Sequence, residues 1–159
     1  MDRETRQDIS LLEEVKIQAR VLVPVLRALR DELGAEKANR IVAGALRQWA
    51  REVALAVGAG TAGSPREKWA ALTAAGMPRI GGDIDVEWLR QDADRVEFNI
   101  TGCRYADFFR QLGEPELGAV LLCETDFHIA EVGAPQVELD RSQTIMQGAK
   151  YCNFRYKLK

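Results

Sequence analysis

The hydrophobic pattern of this chain changes period once, at Gly81-Gly82, and that change divides what the chain can fold into. Before it, apolar residues recur every three or four positions, as on a helix with one covered face. After it they alternate, as on a strand with one covered face. Ile9, Leu12, Val15, Ala19, Leu22, Leu26 and Leu29 carry the first repeat, with Glu13, Lys16, Arg20, Arg27 and Arg30 between them. Pro24 removes one backbone donor and predicts a kink. Gly34 reads as a C-terminal cap. A second helix over residues 35–57 then sets Ala38, Ile41, Val42, Ala45, Leu46, Trp49, Val53 and Ala56 as its apolar positions. So short a connection makes residues 1–57, helical in pattern from residue 6, an antiparallel pair. Ser64-Pro65-Arg66-Glu67 combines a capping box with proline in the first turn, predicting a third helix over residues 64–76 that Gly76 closes.

In the second half, Ile84, Val86 and Trp88 alternate with Asp85, Glu87 and Leu89, and Val96, Phe98 and Ile100 alternate with Glu97, Asn99 and Thr101. The polar stretch 91–94 between them makes this a hairpin. Helical stretches follow over residues 104–112, broken at Gly113, and 115–132, with proline in the first turn. Val137, Leu139, Arg141, Gln143 and Ile145 then face one way in a third strand, and Cys152, Phe154, Tyr156 and Leu158 in a fourth, with Gln147-Gly148 as the turn. The expected fold is a single α+β domain over residues 1–159. It has an N-terminal helical pair and an antiparallel sheet of about four strands over residues 84–158, with covering helices inserted at 104–132.

Lys and Arg number 22 against 24 Asp and Glu, a net charge of −2, so no cationic field exists to gather phosphates and nucleic acid is not an expected partner. The longest uncharged apolar stretch, residues 53–63, is too short to span a bilayer. Arg3, Glu4, Arg6 and Asp8 stand where a signal peptide needs an apolar core, and three cysteines cannot pair evenly. Free thiols in a cytoplasm are the expectation. One histidine excludes a His-built metal site. A zinc site of Cys103, Cys123, Cys152 and Asp126 would lack the close cysteine spacing that structural zinc sites use, so no metal and no cofactor is expected. Walker, dinucleotide-fingerprint, HExxH, CxxC and GxSxG patterns are all missing, which removes the common cofactor and hydrolase readings.

Chemistry concentrates in what remains. Arg141 falls on the inward face of its strand, and an internal guanidinium needs a partner. That partner is either an internal carboxylate in a structural ion pair or a substrate carboxylate held in two hydrogen bonds. Cys123 and Asp126, three apart on a helix, share a mostly apolar face with Ala119, Leu122 and Ala130. They read either as a core cysteine beside a boundary acid or as a chemical pair. His128 lies off that face. If 146–149 form the turn, opposite residues share one sum: Gln143 faces Cys152, Arg141 faces Phe154, and Arg141 and Cys152 are diagonal neighbours roughly 7 Å apart. A cationic neighbour favours thiolate, although a buried cysteine is more often packing.

The order Cys103-Arg104-Tyr105-Ala106-Asp107-Phe108-Phe109, Leu112-Gly113-Glu114-Pro115-Glu116-Leu117-Gly118, Cys123-Glu124-Thr125-Asp126, then Arg141, Thr144, Gly148 and Cys152-Asn153-Phe154-Arg155, resembles the L-2-amino-thiazoline-4-carboxylic acid hydrolase family. The likeness runs motif by motif over residues 98–156 and departs at Asn153, where an acidic residue is expected. It implies hydrolytic opening of a small carboxylate-bearing heterocycle of cyclic amidine or amide type, by attack on the ring carbon between nitrogen and sulfur. The implied catalytic residues are Cys123, Asp126 and Cys152, with a cysteine as nucleophile or Asp126 activating water. Arg141, Thr144 and Cys103 are the implied substrate-binding residues. Two other classes stay open: a domain that binds or senses a small molecule without turnover, and an interaction domain built on the N-terminal helices. The first helix has more apolar positions than one partner helix covers, which predicts a homo-oligomer through this region.

Overall fold

Why the helices begin where they do is visible in their first turns. The computed structural model describes residues 9–159, so residues 1–8, including the expected start of the first helix at residue 6, lie outside it. Helix α1, Leu11–Leu33, begins where the Ser10 hydroxyl accepts the Glu13 N–H at 3.2 Å, and it runs through Pro24 as one helix with the ring on the exposed side. Gly34 turns the chain with φ +81°, a conformation that glycine alone adopts freely, and α2, Ala35–Gly60, returns alongside. Helix α3, Pro65–Ile80, carries the full Ser64–Glu67 capping box. It does not stop at Gly76 as its sequence suggests. Gly76 has open space around it, and Pro78 falls in the last turn, so the cap passes to Gly81 at φ +54°.

Strands β1, Ile84–Gln91, and β2, Arg95–Cys103, form the expected hairpin, although a bulge between Trp88 and Arg90 inserts Leu89. Helix α4, Arg104–Leu112, follows directly, then the short α5, Pro115–Gly118. A π-turn over Ala119–Cys123 leads into α6, Thr125–Val132. The 115–132 stretch is therefore not the single regular helix its periodicity suggests. Strand β3, Val137–Asp140, and β4, Cys152–Leu158, complete an antiparallel four-stranded sheet of order β1-β2-β4-β3 among the described residues.

Register in the second hairpin follows the sum read from the sequence, since Val137 pairs with Leu158 and Asp140 with Arg155. The strand itself is shorter than expected. After Asp140 the chain leaves the ladder, because the Asn153 carboxamide oxygen takes the backbone N–H groups of Ser142 and Gln143 at 3.1 and 3.0 Å. A 3-10 turn over Ile145–Gln147, closed by Gly148 at φ +101°, replaces the simple hairpin turn.

The core lies between one sheet face and the helices. Phe98 stacks on Phe154 with ring centroids 4.7 Å apart, Tyr156 follows on the same strand face, and Trp69 of α3 lies 5.0 Å from Tyr156. Phe109 is fully buried against Gly118, where an added Cβ would stand 2.6 Å from the ring. Glu114, itself 3% exposed, anchors α1 to the second half by accepting from Arg30 at 2.8 Å and Arg27 at 3.3 Å. Among the described residues no helix is long and apolar enough to cross a membrane.

Candidate functional site

Arg141 is the first residue after β3, and its guanidinium carbon lies 5.1 Å from the Phe154 ring. The Phe127 ring lies 4.8 Å away, and only 4% of the Arg141 side chain remains exposed. Packed against two rings, the fork has little choice of partners. One N–H goes to Asp126 Oδ2 at 2.5 Å and another to the Cys123 carbonyl at 2.6 Å. Its Nε is buried and has no protein partner.

The π-turn makes this arrangement possible. In a regular helix the Cys123 carbonyl would accept the Phe127 N–H four residues on. Here Glu124 N–H reaches back five residues to Ala119, and Phe127 N–H bonds the Glu124 carbonyl at 3.1 Å. The Cys123 carbonyl is left over for Arg141. The same interruption breaks the 3.6-residue count, so faces read from Ala119 do not carry through to His128.

Asp126 is crowded by protein, yet about a third of its side-chain surface remains open. Desolvation pushes its carboxyl up to about 6, against the pull of Arg141 through charge and hydrogen bond. Burial pushes the Cys123 thiol up to about 12, again only partly offset by Arg141. The Cys152 and Cys103 thiols are also raised, in both cases chiefly by burial. All three cysteines are unpaired.

A pocket of about 370 Å³ lies between the π-turn, the start of α6 and the 141–147 loop. Cys123, Arg141 and Thr144 line it, together with Phe127, His128 and Gln143. Three of the six residues singled out in sequence therefore meet in one cavity, and a fourth, Asp126, is outside the lining but bonded to Arg141. The other two serve turns beside it. Cys152 Sγ accepts the Ile145 N–H at 3.2 Å, and Cys103 Sγ accepts the Ala106 N–H at 3.4 Å as the cap of α4. Thr144 is also committed, its hydroxyl accepting the Gln147 N–H at 3.2 Å and donating to the Gln147 side-chain oxygen at 2.9 Å. His128 is the lining residue that sequence reasoning set aside, and its Nε2 is buried without a hydrogen-bond partner. Only recognition of the π-turn would have brought it to this side. Among the described residues no group of three or more His, Cys, Asp or Glu is arranged to hold a metal ion.

The molecule is thus an α+β domain in which a π-interrupted helix and the loop after β3 line a polar pocket, with the guanidinium of a carboxylate–guanidinium pair among the lining side chains. The chain belongs to the L-2-amino-thiazoline-4-carboxylic acid hydrolase family, whose model matches residues 14–156. No curated protein matches the chain significantly. Solved structures that match include the phenol-responsive sensory domain of the transcription activator PoxR with phenol, at 15% identity and a TM-score of 0.44, covering 86% of this chain and 72% of that one.

Proposed function

We propose that this chain hydrolyses a small carboxylate-bearing heterocycle of cyclic amidine or amide type, with Asp126 as the base that activates water. The observation that carries this reading is the Asp126–Arg141 pair, whose arginine lines the 370 Å³ pocket: a carboxylate oriented by a fixed guanidinium and still partly open. Asp126 takes a proton from water as the oxygen attacks the ring carbon between nitrogen and sulfur. The tetrahedral centre then collapses with cleavage of the ring C–S or C–N bond, and Asp126 returns the proton to the leaving atom. A carboxyl pushed up to about 6 is suited to both halves, because it is ionised at neutral pH and still basic enough to accept.

Arg141 keeps N–H donors beyond the two given to Asp126 and the Cys123 carbonyl, and with these it offers a substrate carboxylate part of its fork rather than the whole. Water rather than thiolate is the favoured nucleophile. Burial raises all three thiols, and Cys152 and Cys103 already accept backbone N–H groups. We assign Cys123 to the pocket wall. Three unpaired thiols suit the reducing cytoplasm, the compartment we assign.

We further propose a homo-oligomer formed through the N-terminal helices. Ile17, Val21 and Val25 repeat at four-residue steps along α1, and Ile41, Trp49, Val53 and Val57 lie at multiples of four on α2; each is between 45% and 65% exposed.

The test is incubation with 2-aminothiazoline-4-carboxylate and a panel of small cyclic amidines and amides, with mass spectrometry following addition of one water. Asp126→Asn should cut turnover by about 10²–10⁴-fold. Binding without turnover across the panel would make this a binding domain instead, and an Asp126→Asn variant of full activity would remove Asp126 as the base.

A further inference from the structure

A second cavity, of about 800 Å³, opens between α2, α5 and the 145–148 turn. It is a neighbour of the site above rather than part of it, and Ala119, Glu124 and Gln147 form a wall common to both. Leu26, Val42, Leu117, Val120 and Met146 give it an apolar lining. Four arginines, at positions 30, 40, 47 and 110, also line it, and they are not equivalent. Arg30 is neutralised by the buried Glu114 and also bonds Asn39 at 2.8 Å. Arg47 is spent on Glu124 in a two-bond pair at 2.6 and 2.9 Å. Arg40 has only a 3.4 Å contact to Glu36 one turn earlier on the surface, with 67% of its side chain exposed. Arg110 donates to the Ile145 carbonyl and meets no carboxylate among the described residues.

Two guanidiniums with spare donors therefore stand at an apolar cavity. Nothing in the ring-opening reading uses them. Glu116, the acidic residue on the same lining that no arginine neutralises, opposes a ligand with several negative charges. One negative charge on an apolar body fits the balance. We propose that this cleft binds a small amphipathic carboxylate, with its apolar body on the lining formed by Val42, Val120 and Met146 and its head group drawn by Arg40 and Arg110. The volume is in the range of a drug-sized ligand site, larger than a lone heterocycle needs.

The test uses octanoate as the probe, titrated calorimetrically into the full chain at neutral pH, with octan-1-ol and octylamine as neutral and cationic counterparts. Octanoate should bind one to one and octylamine should not bind. Arg40→Gln and Arg110→Gln together should weaken octanoate at least tenfold. Arg40→Gln alone, at an exposed helix position that leaves the fold untouched, should already weaken it measurably. Ala43→Trp, which fills the cleft from α2, should abolish binding. Amide shifts on octanoate addition should centre on Ala43, Val120 and Gly148. The proposal is overturned by equal affinity for octanol, by double-variant affinity equal to the parent chain, by an absence of binding heat, or by shifts confined to Cys123 and Ser142. None of these readouts measures turnover, so the outcome stands apart from that of the ring-opening test.

Discussion

Arg141 and Asp126 form a pair in which one partner is locked and the other is not: the guanidinium packs against the rings of Phe127 and Phe154 with its side chain 4% exposed, whereas a third of the Asp126 side chain is open. This asymmetry decides which half of the pair can act. Arg141 cannot leave without giving up its packing on both rings, so it positions and holds charge. Asp126 can meet solvent or substrate while staying bonded.

Removing the locked partner should therefore cost more than removing both. Arg141→Met leaves Asp126 crowded without its cation, and we expect a loss of about 2–3 kcal/mol, below the 3–5 typical of a fully enclosed pair because Asp126 keeps an open edge. Arg141→Met with Asp126→Asn should recover part of that loss in urea melts. Arg141→Lys should behave more like Met than like the parent, since one ammonium cannot reproduce the planar fork that spans Asp126 and the Cys123 carbonyl. Additive single and double losses would mean the two residues do not depend on each other.

The pH profile separates the two nucleophiles. A water mechanism needs Asp126 ionised, so kcat/KM should rise through about pH 6 and level off above pH 7. A thiolate mechanism at Cys123 would instead keep rising toward about 12, close to tenfold per pH unit. The same group leaves a mark on stability with a defined sign. Because its folded-state pKa is raised, Asp126 stabilises the native chain fully below its unfolded value near 4 and loses that contribution as pH rises through about 6. Asp126→Asn should flatten this part of the stability curve, measured by thermal melts between pH 4 and 7.

The cysteines should sort by what their sulfurs touch. Cys123→Ala should retain turnover within about tenfold of the parent, and Cys152→Ala should cost about 1–2 kcal/mol of stability through lost packing at a 6%-exposed site. A loss of several orders of magnitude at any one cysteine would restore covalent catalysis.

How much of this was legible in the sequence follows from which patterns are local. The capping box at Ser64, the glycine at position 34, the period change at Gly81-Gly82 and the 137–158 register all rest on neighbouring residues or a symmetric sum, and each is found in the structure. The same sum sets Arg141 opposite Phe154; the ladder ends at Asp140, yet the guanidinium still lies 5.1 Å from that ring. What stayed hidden depends on contacts from elsewhere in the chain. Asn153 pulls Ser142 and Gln143 off the ladder, a pairing across the hairpin that alternation of apolar residues does not encode. The π-turn at Ala119–Cys123 follows a proline-led short helix and shows no break in hydrophobic spacing, so His128 could not be assigned to the pocket by counting. The placement of β4 beside β2 is a tertiary choice made by the Phe98–Phe154 stack rather than by either hairpin.

Gly118 tests whether the π-turn is held in place by close approach. A Cβ there would stand 2.6 Å from the Phe109 ring and 2.8 Å from the Met146 terminal carbon, and Phe109 is fully enclosed. Gly118→Ala should destabilise by about 1–3 kcal/mol, as overpacking does in a dense core. The displaced π-turn should also carry Cys123 and its carbonyl away from Arg141, so turnover should fall along with the melting temperature. A variant of unchanged stability would show that this contact yields at no cost.

The N-terminal helices supply the last test. Val21 is 65% exposed and Trp49 50% exposed, on two apolar stripes that α1 and α2 do not bury against each other or the sheet. Seven such side chains, each about half open, amount to an area comparable with the roughly 800 Å² that each partner contributes to a standard interface. A charge on either stripe would be buried unpaired in the assembly and harmless in a single chain. Light scattering at micromolar concentration should find more than one copy for the parent chain and a single copy for Val21→Glu and for Trp49→Glu, with circular dichroism unchanged. A parent chain that is already a single copy would leave both stripes without a role in self-association, whereas an assembly that survives both substitutions would have to be built through another surface.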